Sequence, residues 1–151
     1  MHDSKPLVLI ASPDAVTAVL FETVLETHSF QTAIVCDGFD AADAALLRRP
    51  ALVVLDRLLA GLDAMSLCRL LKARRATDRI PILVVTPYDT RAERDAAIDA
   101  GADQVLVEPC APELLALEAR RLVAQVASVR AAERVGGYCR RATDQHVAAG
   151  K

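Results

Sequence analysis

The sequence predicts an α/β domain built on a parallel sheet covered on both faces. Three observations lead there. Short aliphatic runs such as Leu52-Val53-Val54-Leu55 lack the polar alternation of a half-exposed strand, so they read as strands buried on both sides. Segments with apolar residues at helical spacing lie between those runs. The two patterns alternate five times, which is the order of βα units rather than of hairpins.

Each element has its own signal. The first strand is 7–11, Leu-Val-Leu-Ile-Ala, and a helix follows in which Val16, Val19, Leu20, Val24 and Leu25 share a face. Asp14 or Ser12 is suited to cap its start. The second strand is 32–35. The second helix, about 39–48, must stop before Pro50, because a residue preceding proline avoids the helical region. The third strand ends in Asp56, and its helix covers about 64–75. The fourth strand is 82–86, with a helix over about 90–100 that stops at Gly101, a good C-terminal residue. The fifth strand is 104–107. The last helix starts near Ala111, with Pro112 acceptable in its first turn. Its apolar residues Leu115, Leu122, Val126 and Val129 continue without a breaker until Gly136-Gly137.

Right-handed crossovers restrict the topology. The expected architecture is a flavodoxin-like doubly wound five-stranded sheet in the order 2-1-3-4-5, with five helices, the last extended. Residues 1–5 read as an N-terminal tail, 6–128 as the domain, and 129–151 as a helical extension and mobile tail. Two readings of the last helix stand side by side. Its first half packs on the sheet and the rest is a tail, or it projects and pairs with another chain or an output domain.

Composition excludes several classes. The 151 residues are 53% hydrophobic but only 3% aromatic, with no Trp, so the core must be aliphatic. A formal net charge of −2 gives no general attraction to nucleic acid or membrane. The charge is uneven, though: seven Lys/Arg face two Asp/Glu from Arg120 to Lys151, and eleven face eighteen elsewhere. The tail bases Arg130, Arg134, Arg140 and Arg141 lack a nucleic-acid reading motif. The cluster Arg69, Lys72, Arg74, Arg75 and Arg79 reads as a solvated helix face. Cys36, Cys68, Cys110 and Cys139 have no paired spacing, which fits reduced cytosolic thiols and a cytoplasmic location. Cys110 reads as a small packed residue rather than a nucleophile. His2, His28 and His146 have no ligand spacing. The start has no signal-peptide core, no run approaches a membrane span, and no Gly-rich phosphate loop follows the first strand.

In such folds chemistry gathers beyond the carboxyl ends of the strands. Ala11 to Asp14, Asp56 and Thr86-Pro87 converge there, with the loop Glu108-Pro109 beside them. Val53-Val54-Leu55-Asp56 with Gly61 and Asp63 after it, the run from Ile80 to Thr86, and the run from Ala100 to Pro109 stand in this order. Together, over about 6–126, they resemble the receiver domains of response regulators. The resemblance implies phosphoryl transfer from a histidine kinase to Asp56 as acceptor, with Thr86 as the switch hydroxyl. It also implies Mg²⁺ held by an acidic pair after the first strand, and a Lys that grips the phosphoryl group. This chain departs from that pattern. The acidic pair falls on Ser12 and Pro13, with Asp14 one position late. Glu108 replaces the Lys, Val105 the switch aromatic, and Ala60 the usual Pro.

Charge gives these departures weight. Two unit charges about 5 Å apart at an effective dielectric of about 20 interact by roughly 3 kcal/mol, and exchanging Lys for Glu reverses the sign. An incoming anion would then meet a barrier of orders of magnitude in rate. Arg57, next to the acceptor, is read either as a counter-charge folded over Asp56 or Glu108, or as a solvated arginine. The leading expectation is a degenerate, non-enzymatic receiver without a cofactor, acting as a phosphorylation-independent interaction module. Its partners would be a sensor kinase, a phosphotransfer protein or an output domain. Arg57 and Val105 are the interaction candidates. A homodimer would use the face of the fourth helix, fifth strand and fifth helix, or the extended last helix; membrane and nucleic-acid contacts are not expected. The first alternative is a conventional receiver phosphorylated on Asp56, with Mg²⁺ on a rearranged site of Asp56, Asp14 and Glu108. The second is a flavodoxin-like enzyme or small-ligand binder.

Overall fold

The computed structural model describes the backbone of residues 4–149 and the side chains of residues 4–136. Five βα units follow one another: β1 (Leu7–Ala11), α1 (Ala15–Thr27), β2 (Gln31–Val35), α2 (Gly38–Arg48), β3 (Leu52–Asp56), α3 (Ala64–Lys72), β4 (Ile82–Thr86), α4 (Arg91–Ala100), β5 (Gln104–Val107) and α5 (Pro112–Ala149). The sheet order is β2-β1-β3-β4-β5, and every pairing is parallel. The predicted architecture is the one observed.

The aliphatic runs divide by parity, because successive strand side chains point to opposite faces. Leu9, Val53, Leu55, Ile82 and Val84 pack with Ala41, Ala45, Leu67, Leu71 and Ala97 from α2, α3 and α4. Val8, Ile10, Leu52, Val54, Leu83 and Val85 pack with Phe21 and Leu25 of α1 and with Leu115 and Leu122 of α5. Both faces are therefore hydrophobic, and each fully buried Leu or Val contributes about 1.5–3 kcal/mol relative to exposure. This two-sided burial fixes the register, and with it the alignment of the strand ends.

Local chemistry sets the helix starts. Asp14, Asp37 and Asp63 accept backbone N–H bonds from Val16, Asp40 and Ser66, and Thr90 accepts one from Glu93. Asp14, not Ser12, is the cap of α1. α3 ends at Lys72, earlier than the predicted 75, because Ala73 to Asp78 turns back on itself. Gly101 closes α4 with φ 115°, and Arg49 closes α2 with φ 44° ahead of Pro50. α5 runs through Gly136 and Gly137, beyond the end their glycine character suggested. The mobility expected of the tail concerns side chains outside the described residues.

Candidate functional site

The register brings the predicted residues together at the carboxyl edge of the sheet. β3 ends in Asp56, paired with Val85 of β4, one residue before Thr86. Ser12 follows β1 directly, and its N–H bonds to the Val35 carbonyl. Glu108 follows β5, its N–H donating to the Thr86 carbonyl at 2.8 Å. The Arg57 N–H donates to the Val85 carbonyl at 2.8 Å, which pins the exit from β3.

Asp56 is already engaged. The Ser12 hydroxyl, 3% exposed, donates to Asp56 Oδ2 at 3.0 Å, and the Leu58 N–H donates to Oδ1 at 2.9 Å. Ser12 therefore puts a neutral donor where the resemblance implied a carboxylate. Asp14 turns elsewhere: it accepts from the Val16 N–H at 3.1 Å and from Thr17 Oγ1 at 2.7 Å. The Thr17 bond, followed by the Val16 N–H, holds its carboxyl below the ordinary value. A site of Asp56, Asp14 and Glu108 is thus not assembled. No group of three His, Cys, Asp or Glu among the described residues is placed to hold a metal ion. The residues present do not fit Mg²⁺, since Pro13 offers no oxygen side chain and Asp14 serves as the cap.

Glu108 is the electrostatic oddity of the pocket. Burial pushes its pKa up first, and the charges of Asp56 and Asp14 push it further in the same direction. Among the described residues no cation pairs with it. Arg57, expected over Asp56 or Glu108 or else in solvent, instead pairs with Glu93 of α4, its Nε lying 2.9 Å from Oε1 and 3.2 Å from Oε2. The Arg57 side chain is 28% exposed and that of Glu93 only 9%. Glu93 Oε2 also accepts from the Thr86 hydroxyl at 3.0 Å, and Thr86 Oγ1 in turn accepts from the Tyr88 N–H at 3.1 Å. Thr86 is fully buried. Both of its hydrogen-bonding roles are filled without the pocket.

Glu93 is the residue that sequence reasoning missed. A signal existed, since Thr90-Arg91-Ala92-Glu93 is a capping-box pattern. That pattern returns the Glu carboxylate to its own N-cap, whereas here the carboxylate crosses to β3 and β4. Val105 is 7% exposed and belongs to the core, so it offers no surface of its own. Cys110 lies near the pocket, but burial and then Glu108 raise its thiol pKa, the reverse of an activated nucleophile. Cys36, Cys68 and Cys110 are unpaired among the described residues. Among those residues no helix is long and apolar enough to cross a membrane.

A doubly wound sheet with an acid ending its third strand, a hydroxyl ending its fourth and an X-Pro turn after its fifth defines a class of signalling module. The chain belongs to the response regulator receiver domain family, whose profile matches residues 8–120. It is 35% identical over 116 residues to response regulator MprA of Mycobacterium sp. (strain KMS), covering 77% of this chain and 50% of that protein. It is 31% identical over 120 residues to the DNA-binding response regulator MtrA of Mycobacterium bovis, covering 80% and 51%. The chain thus spans about half the length of the curated relatives it matches. The signal receiver domain of a signal transduction histidine kinase from Syntrophus aciditrophicus superimposes with a TM-score of 0.75 at 29% identity, over 80% of this chain and 92% of that one. The chain is a receiver domain of two-component signal transduction.

Proposed function

We propose that this receiver works as an interaction module whose state is set without phosphorylation of Asp56. The observation that carries the reading is Glu108, a carboxylate where the family grips an anion, whose pKa burial and Asp56 raise together. Two contacts support it. Ser12 satisfies Asp56 without a metal, and Glu93 takes the Thr86 hydroxyl. An incoming phosphoryl group would meet Asp56 and Glu108 with neither Mg²⁺ nor Lys to neutralise it, and phosphoryl transfer depends on that neutralisation. The module is neither an enzyme nor dependent on a cofactor, and it works in the cytoplasm. Its partners are a sensor kinase, a phosphotransfer protein or an output domain docking on α4, β5 and α5, where Ile98 is 50% exposed. The DNA-binding relative suggests an output of that kind, reached through α5 rather than through direct nucleic-acid contact.

The test is treatment with Mg²⁺ and acetyl phosphate, then with beryllofluoride, read by intact mass and by amide shifts around Asp56. The expected result is no adduct and no shift. A Mg²⁺-dependent adduct on Asp56 establishes the second reading, a receiver phosphorylated in the ordinary way, which the retained Asp56 and Thr86 favour.

A further inference from the structure

The end of the sheet opposite Asp56 carries an unexplained concentration of positive charge. α5 continues past the amino-terminal edge of the strands and overhangs the segments that lead into β1, β3 and β4. A cavity of about 730 Å³ lies in this corner. That volume falls in the range of small-molecule sites. Its cationic lining comes from four separate places: Lys5 before β1, Arg49 before β3, Arg75 and Arg79 before β4, and Arg130 on α5. Among the described residues no carboxylate lines it. Among the described residues, Arg79 alone of the five is ion-paired, with Glu133. The floor between the cations is apolar, with Pro50, Ile80, Val123 and Val126.

The sequence does not explain this gathering as a solvated helix face. Arg75 and Arg79 lie beyond the end of α3, and the fold brings Arg49 and Arg130 to them from elsewhere in the chain. Arg49 occupies the left-handed region, φ 44°, at a helix end where glycine or asparagine is the ordinary residue. Among the described residues the four cations other than Arg79 make no ion pair, Glu133 acting on Arg130 only at longer range, and such like charges around one concavity repel one another, a repulsion that a bound anion relieves. Guanidinium groups favour phosphate, which they meet through paired N–H donors. The apolar floor suits the uncharged body of a ligand.

We infer that this basal cavity binds a small phosphorylated molecule with an apolar or aromatic body, the chemistry of a nucleoside polyphosphate. The site is concave and the chain as a whole is acidic, which favours a small ligand over a nucleic-acid backbone. The inference is independent of whether Asp56 is phosphorylated.

The test titrates the full chain with ATP, inorganic pyrophosphate and a short DNA duplex, following melting temperature and amide shifts. The expected result is saturable ATP binding with shifts at Arg49, Arg75 and Ala127, and weaker binding of pyrophosphate. The exposed-site variant Arg49→Gln/Arg75→Gln/Arg130→Gln, verified as folded by circular dichroism, should weaken ATP by about a hundredfold. Any of four results overturns the inference: no saturable ATP binding, shifts confined to the Asp56 pocket, pyrophosphate as tight as ATP, or tight binding of DNA alone.

Discussion

The Arg57–Glu93 pair and its bond to Thr86 can be dissected by a double-mutant cycle. At a charge separation of about 4 Å and an effective dielectric of about 20, the pair attracts by roughly 4 kcal/mol before desolvation. Glu93 is nearly buried and Arg57 is not, so desolvation offsets more than half of that figure. The net coupling should be about 1.5 kcal/mol, between an exposed pair at about 0.2–1 and the roughly 3–5 lost when a fully buried pair is broken. Glu93→Ala also strands the buried Thr86 hydroxyl, adding about 1–2 kcal/mol, so the expected total is about 3 kcal/mol. For a domain of this size that lowers the melting temperature by about 6–12 °C. Glu93→Gln keeps an acceptor for Thr86 and should cost about 1 kcal/mol less than Glu93→Ala. The assay is urea unfolding of wild type, Arg57→Ala, Glu93→Ala and the double variant. A coupling below about 0.5 kcal/mol would mean that the pair behaves as a solvated one and that Glu93 does not clamp the switch.

Two further outcomes are expected. Because the Glu108 pKa is raised above its ordinary 4.5 in the folded state, its contribution to stability is complete below about that pH and declines as pH rises through the raised value. Glu108→Gln should therefore melt higher than wild type at pH 7, with the advantage shrinking as pH falls through the raised value and gone below about 4.5; equal melting curves at pH 7 would contradict the assignment. Gly38, the first residue of α2, has no room for a side chain, since a Cβ there would lie 1.8 Å from the Leu62 carbonyl oxygen. Gly38→Ala should cost more than about 2 kcal/mol in thermal unfolding, because backbone must move, and a near-neutral result would refute that close approach.

What could be read in advance follows from what sequence encodes locally. Buried parallel strands announce themselves as continuous aliphatic runs, so β3 and β4 were legible, and with them the positions of Asp56 and Thr86. Helix caps are equally local, although the choice of Asp14 over Ser12 had to await the loop's own hydrogen bonds. The partners of charged side chains are a different matter. The sequence marks Arg57 as a counter-charge without naming its acid, which lies 36 residues away on another element. The basal cavity stayed hidden for the same reason, since Arg49, Arg75 and Arg130 meet only once the sheet has formed. The end of α5 was misplaced because two glycines weaken a helix without forbidding it.

The distribution of charge between the two ends of the sheet bears on how the domain meets an anion. At the carboxyl edge stand Asp56, Glu108, Asp14 and Glu93, with Arg57 as counter-ion to Glu93. At the amino edge stand Lys5, Arg49, Arg75, Arg79 and Arg130. A strand of five residues separates these ends by about 17 Å. That is about two Debye lengths at physiological salt, so the basal cations cannot neutralise charge arriving beside Asp56. The same separation lets each end act alone. An anion that meets this domain is drawn to the base of the sheet, and any compensation for a phosphoryl group at Asp56 must come from a cation within a few ångströms of Glu108. A kinase or partner that inserted a lysine or arginine into the pocket would supply that cation. A phospho-adduct that formed only in such a complex would place the missing charge on the partner rather than in a metal.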